Sequence, residues 1–286
     1  MTSRDEVLSG NRFAFGENWS RFLSVLTPER IEEAERNLKD MLDVARLDGK
    51  SFLDIGSGSG LSSLVARRLG ARVHSFDYDT QSVACTTELK RRYFADDADW
   101  TIETGSALDR DFMARLGRFD VVYSWGVLHH TGAMWTGIEC AISRVRDGGT
   151  LFLAIYNDQG WKSHLWWFIK FVYNKLPRPV DLAYAYTLGI FFELLNIIKY
   201  TLRLKPMTAI APLLNYKEKR GMSILHDMID WMGGFPFEFA TYDTLAGYMR
   251  TRGFELVNGK PASSLGCHEM VFRHNPRQAG DSHDFS

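Results

Sequence analysis

Two aspartates and three glycines between them carry the chemistry that this chain announces. Asp54 interrupts the apolar run Phe52-Leu53-Asp54-Ile55, which reads as a buried strand, and Gly56, Gly58 and Gly60 follow, alternating with serines. Leu61, Leu64, Val65 and Leu69 then fall on one helical face, and Gly70 ends the run. Strand, glycine loop and helix open a βαβ unit, in which glycine allows a tight turn and lets a ligand approach the backbone. A dinucleotide fingerprint would need glycine at position 61 or 63, where Leu61 and Ser63 stand. A phosphate loop would need a Gly-Lys-Ser/Thr ending, and no lysine is present there. The bland alternative is a turn that merely needs positive φ.

Asp77 lies about twenty residues beyond the glycines, after the strand-like Ala71-Arg72-Val73-His74-Ser75-Phe76. A carboxylate in that place can accept from both hydroxyls of a ribose. Asp79, past Tyr78, is better suited to capping the next helix. A third strand, from Trp100 to Thr104, exits through Gly105, Ser106 and Ala107. A fourth, Phe119-Asp120-Val121-Val122-Tyr123-Ser124-Trp125, leads into Gly126-Val127-Leu128-His129-His130. A helix end, the pair Gly148-Gly149 and a fifth strand ending at Tyr156 come next.

The spaced glycines with Asp54, the acid at Asp77, and the D-V-V followed by V-L-H-H together resemble class I methyltransferases dependent on S-adenosylmethionine (SAM). The likeness is to small-molecule enzymes of the broad ubiquinone-biosynthesis type and covers about residues 50–157. It implies an α/β fold: a doubly wound, Rossmann-like, seven-stranded and mostly parallel sheet whose last strand is antiparallel. An N-terminal helical segment and a helical insert after the fifth strand would complete it. It implies SAM as cofactor, with Asp54, Gly56, Gly58, Gly60, Asp77, Tyr78, Ser106, Ala107, Ser124 and Trp125 around it. The family usually has an acid where Ser106 stands, and a hydroxyl can still accept there. Trp125 could wall the adenine or face the sulfonium, whose positive charge favours an aromatic ring.

The remaining chain divides by composition. Residues 1–48 are expected to cap the pocket, with Phe15 and Trp19 near the acceptor and a helix beginning at Thr27-Pro28. The core would be 49–157, an insert or lid 158–240, a closing helix and strand pair 241–275, and a tail 276–286. The insert is rich in aromatic residues and basic: from Gln159 to Leu225 the only acids are Asp181, Glu193 and Glu218. Leu182 to Ile198 is almost wholly apolar, yet slightly short for a span and interrupted by Glu193. The insert suits a subdomain burying its own aromatics, a lid over an apolar acceptor, a membrane surface, or a homodimer contact. Trp161, His226 and Trp231 are its candidates for touching the acceptor, and a Gly233-Gly234 turn could also bring Asp230 or Glu238 to the site.

Methyl transfer from a sulfonium is an in-line displacement, so positioning dominates and a base removes the acceptor's proton where one is lost. His129 is the first candidate for that base, His130 the second, and Tyr156 a group that orients an acceptor hydroxyl; each histidine could instead cap or pack. The net charge of −1 gives no general attraction to nucleic acid, and no nucleic-acid methylation motif is present. Three cysteines without ligand spacing read as reduced thiols in the cytoplasm, and no metal site is expected. The expected reaction is O-methylation of a small, apolar acceptor, such as a quinone-like, lipid or glycolipid intermediate. N- or C-methylation of a similar acceptor, or a non-catalytic partner role, are the alternatives.

Overall fold

The computed structural model describes Leu23 and residues 26–205, 207–208 and 232–275. Seven strands form one sheet: β1 (Ser51–Ile55), β2 (Arg72–Asp77), β3 (Trp100–Thr104), β4 (Phe119–Trp125), β5 (Val145–Tyr156), β6 (Phe254–Lys260) and β7 (Cys267–His274). Their order across the sheet is β3-β2-β1-β4-β5-β7-β6. The pairs from β3 to β5 are parallel, while β7 runs antiparallel to both β5 and β6. The chain winds from β1 outward to β3 and then returns to the other side of β1 at β4. Ligands bind at such a reversal, beyond the carboxyl ends of the strands.

The helices are α1 (Pro28–Leu42), α2 (Leu61–Arg68), α3 (Thr80–Tyr93), α4 (Arg110–Arg115), α5 (Met134–Ile142), α6 (Trp161–Lys175), α7 (Val180–Leu202) and α8 (Tyr242–Arg250), with a 3₁₀ turn at Leu128–His130. Strand alternation sends side chains to two faces. Phe52, Val121, Tyr123 and Phe152 meet α1, α2 and α3 on one side. Leu53, Ile55, Val122, Leu151, Leu153 and Ile155 meet α4, α5 and α8 on the other. Burial on both faces explains why β1 reads as a continuous apolar run broken only by Asp54.

Local chemistry starts several of these helices. Asp79 accepts the Gln81 amide at the head of α3, and Thr241 accepts that of Thr244 at the head of α8. Thr27 does occupy the cap position of α1, but its side chain makes no capping bond. The Asn258 side chain of β6 donates to the carbonyls of Asp40 and Met41, at 3.1 and 3.0 Å, closing the end of α1.

Past β5 the chain leaves the sheet and returns at Ala240, which forms an isolated bridge with Asn157. The Ala240 amide donates to the Tyr156 carbonyl and the Asp158 amide to the Ala240 carbonyl. Within the excursion, α6 and α7 bury Ile169, Tyr173, Ala185 and Met232 in a separate small core. Helix α7 extends beyond the apolar run at both ends, and its 23 residues are long and apolar enough to cross a membrane, by length and composition alone.

Candidate active site

Gly56, Gly58 and Gly60 hold φ values of 76°, 54° and 82°, where an L side chain is strained. Gly56 also has no room: an added Cβ would collide with the Val127 side chain. The Gly56 and Ser57 amides donate to the Phe76 carbonyl, tying the loop to the tip of β2. Asp77, at that tip, takes the Gly58 amide on one carboxylate oxygen and the Asp79 amide on the other, each at 2.9 Å. Loop and acid therefore share one geometry, with the carboxylate beside the glycine loop at the carboxyl ends of β1 and β2.

Asp54 lies beneath the loop. It is 1% exposed and accepts from the Ser63 hydroxyl, which also meets Ser75, itself bonded by the Trp100 indole at 2.8 Å. Burial pushes its carboxyl up to about 7; the Ser63 bond opposes this, and the charge of Asp77 adds to it. Asp54 thus shapes the loop from inside. Ser124 does likewise, fully buried with its hydroxyl on the Ile55 carbonyl.

Ser106 takes the Leu108 amide at 3.2 Å, a local turn after β3, with buried Ala107 beside it. Tyr78 stands half-buried next to Asp77. Trp125, 46% exposed at the end of β4, donates its indole N–H to Glu269 at 2.8 Å, so its ring is fixed on the rim of the crevice. The donor set fits SAM: a glycine loop in left-handed conformation, a carboxylate for a diol, a hydroxyl beyond β3 and an aromatic rim.

A second cluster adjoins the first at the exits of β4 and β5. The rings of His129 and Tyr156 lie 4.0 Å apart, His129 and His130 4.4 Å, and Tyr156 and Phe237 5.1 Å. His129 is fully buried; its Nδ1 accepts the Tyr156 amide at 3.3 Å, and its Nε2 has no hydrogen-bond partner among the described residues. Accepting at Nδ1 places the ring proton on Nε2. Burial first, then the charges of His130 and Lys170, hold His129 well below the usual histidine range, against a weaker contrary pull from the Ala154 carbonyl. In His130, Nδ1 lies 2.7 Å from the Pro236 carbonyl, which can only accept, so Nδ1 bears the proton and Nε2 is the basic nitrogen. Burial raises the Tyr156 phenol.

The structure adds Lys170, which the sequence reading passed over. It is 1% exposed on α6, with its ammonium 5.0 Å from the centre of the Phe237 ring. Burial lowers it to about 7. A helical wheel could have found it, because Ser163, Ile169, Lys170 and Tyr173 are the buried face of α6. Glu238, in contrast, caps α5: both carboxylate oxygens accept the Met134 amide, at 3.1 and 3.0 Å. Trp161 is 71% exposed at the start of α6 and does not join the cluster. Phe15, Trp19, His226, Asp230 and Trp231 lie outside the described residues. Among the described residues, no three His, Cys, Asp or Glu gather as a metal site.

Comparison with known proteins bears on the family and the fold. A methyltransferase-domain family model matches residues 27–258. The ubiquinone biosynthesis O-methyltransferase of Methylobacterium sp. (strain 4-46) is 31% identical over 42% of this chain and 46% of its own length. The ribosomal protein L11 methyltransferase of Methylococcus capsulatus is 40% identical over 40% of this chain and 36% of its own. The chain thus spans less than half the length of these curated relatives. The magnesium protoporphyrin IX methyltransferase from Synechocystis, solved with bound S-adenosylhomocysteine, superposes with a TM-score of 0.51 at 14% identity, over 86% of this chain and 84% of that one. PKMT2 from Rickettsia typhi, solved with the same ligand, gives 0.57 at 13%, over 84% and 52%. The glycine loop, the sheet order and the family match converge: this chain belongs to the methyltransferase-domain family and has the fold of methyltransferases that bind SAM.

Proposed function

We propose that the protein methylates an oxygen of a small, apolar acceptor, such as a quinone-like, lipid or glycolipid intermediate. One observation carries this reading: His129, His130 and Tyr156 meet at the exits of β4 and β5, walled by Phe237 with buried Lys170 behind it. An aromatic wall suits a planar, apolar acceptor, and a histidine held in one tautomer suits an acceptor that must lose a proton. Bound SAM supplies an electrophilic methyl group at the crevice lined by Gly56, Gly58, Gly60 and Asp77.

The side chains divide the remaining work. His130 takes the acceptor's hydroxyl proton at Nε2, held in the correct tautomer by the Pro236 carbonyl. His129, carrying its proton on Nε2, donates to the acceptor oxygen and fixes its direction. This reverses the order of the two histidines expected from sequence. Lys170 stabilises the developing oxyanion through the pocket's low dielectric.

A labelled-methyl assay against phenolic and amine acceptors tests the proposal, alongside calorimetric titration with SAM. Phenols should be methylated and the matching amines not. His130→Ala should lower turnover about a hundredfold with SAM affinity kept, and Asp77→Ala should weaken SAM binding about tenfold or more. Full turnover in His130→Ala would remove the base; transfer to amines alone would replace O- by N-methylation.

A further inference from the structure

Helices α6 and α7 pack through one face each, where Trp166 and Phe192 meet with ring centres 4.9 Å apart. The outward face of α7 is apolar too. Ile190, Phe191, Leu194, Leu195, Ile198 and Leu202 recur at three- and four-residue intervals and are 46% to 81% exposed. They make one stripe roughly 18 Å long. On α6, Trp161, Leu165 and Phe168 form a second stripe, exposed by 71%, 42% and 57%. So much contiguous apolar surface in water marks a contact site.

The charges around the stripes say what the contact is. Lys162, Lys175, Arg178, Lys199, Arg203 and Lys205 are all exposed. From residue 161 to 205 the acids are Asp181 and Glu193, and neither is exposed. Asp181 is buried, turned onto the Leu182 amide. An apolar stripe with a cationic rim and aromatic ends matches a bilayer carrying anionic headgroups. A second copy of this chain would bring the same cations to a symmetric contact, where like charges repel. A span through the bilayer would strip α7 from α6 and place Glu193 in mid-membrane.

We infer that α6 and α7 lie flat in the surface of an anionic bilayer, with the two stripes among the acyl chains and the Lys/Arg rim among the phosphates. Helix α6 starts five residues after Tyr156, the last residue of β5, and its other face sets Lys170 against Phe237 of the acceptor cluster, so docking holds that cluster near the bilayer. An acceptor dissolved in the same lipid is then concentrated beside the protein. That consequence rests on the proposed apolar acceptor; the surface itself does not.

The test is co-sedimentation of the full chain with vesicles of phosphatidylcholine alone or mixed with phosphatidylglycerol, with SAM affinity measured separately by calorimetry. The protein should bind the mixed vesicles preferentially, and salt should weaken the preference. The pair Leu194→Glu and Ile198→Glu should lower the partition coefficient about tenfold or more, with SAM affinity and thermal unfolding unchanged. Should that pair misfold, Leu202→Glu, at the 81%-exposed helix end, replaces it. Equal binding by parent and variant overturns the inference, as does indifference to phosphatidylglycerol. Resistance to alkaline extraction would mean a span, and a solution dimer split by the same substitutions would mean a second copy; either overturns it. Loss of SAM binding in the parent would sink the methyltransferase reading and leave this one standing.

Discussion

Asp54 shows what a charged residue in a buried strand is for. Its carboxyl supports the glycine loop through Ser63, Ser75 and Trp100, and burial holds it near 7 instead of 3.8. A folded-state value above the unfolded one means that this group's stabilisation is complete below about pH 4 and fades as pH rises through about 7. Asp54→Asn keeps an acceptor for Ser63 and removes the titration. Denaturant unfolding across that window should show the parent losing stability relative to the variant, by at most roughly 4 kcal/mol. A constant difference would mean that Asp54 stays ionised. At this scale the sequence disclosed residue types better than residue duties. Asp54 was visible as an exception in an apolar run, but its position under the loop depends on Ser75 and Trp100, from other strands. The histidine pair was visible too. Which nitrogen of each ring holds the proton depends on the Tyr156 amide and the Pro236 carbonyl, contacts 27 and 106 residues away along the chain.

Elements were more legible, because their signals are local. The apolar strand runs, the caps at Asp79 and Thr241, and Gly70 just past α2 all lie within a few residues of what they control. The fifth strand differed. It begins at Val145, before the glycine pair, and the register with β4 shifts between Phe119 and Val121 to absorb them. Glycines inside a strand mark such an irregularity, but in sequence the same pair reads equally as a turn between elements. The glycine loop gives a sharp test at this scale. Gly56→Ala should cost about 1–2 kcal/mol for its positive φ, and more for its collision with Val127. Adding Val127→Ala should recover the collision part alone, read as a partial return of the denaturation midpoint. Complete recovery would mean that the backbone conformation costs nothing.

For the whole molecule, helix α1 and the β6–β7 hairpin are joined by two side chains. Asn258 of β6 caps α1 by two hydrogen bonds, and Lys260 reaches Asn37 at 3.0 Å. Asn258→Ala should lower stability by roughly 1–2 kcal/mol, shifting the denaturant midpoint without changing its slope and leaving SAM affinity intact. A weakened SAM site would show that α1 transmits to the crevice. Sequence foretold the seven-stranded, mostly parallel sheet and its antiparallel last strand through family resemblance, and the aromatic insert through composition. It could not show that the insert turns one apolar face inward and another outward, because both faces of α7 are written in the same residue types.

The backbone bridge between Asn157 and Ala240 has a further meaning. The two ends of the excursion are stapled side by side at the rim of the sheet, so its content is decoupled from the register of β5 and β7. Such a stem works as a socket: whole helical modules could be exchanged there, over generations or at the bench, and the catalyst given a new clientele while its methyl-donor chamber is left alone.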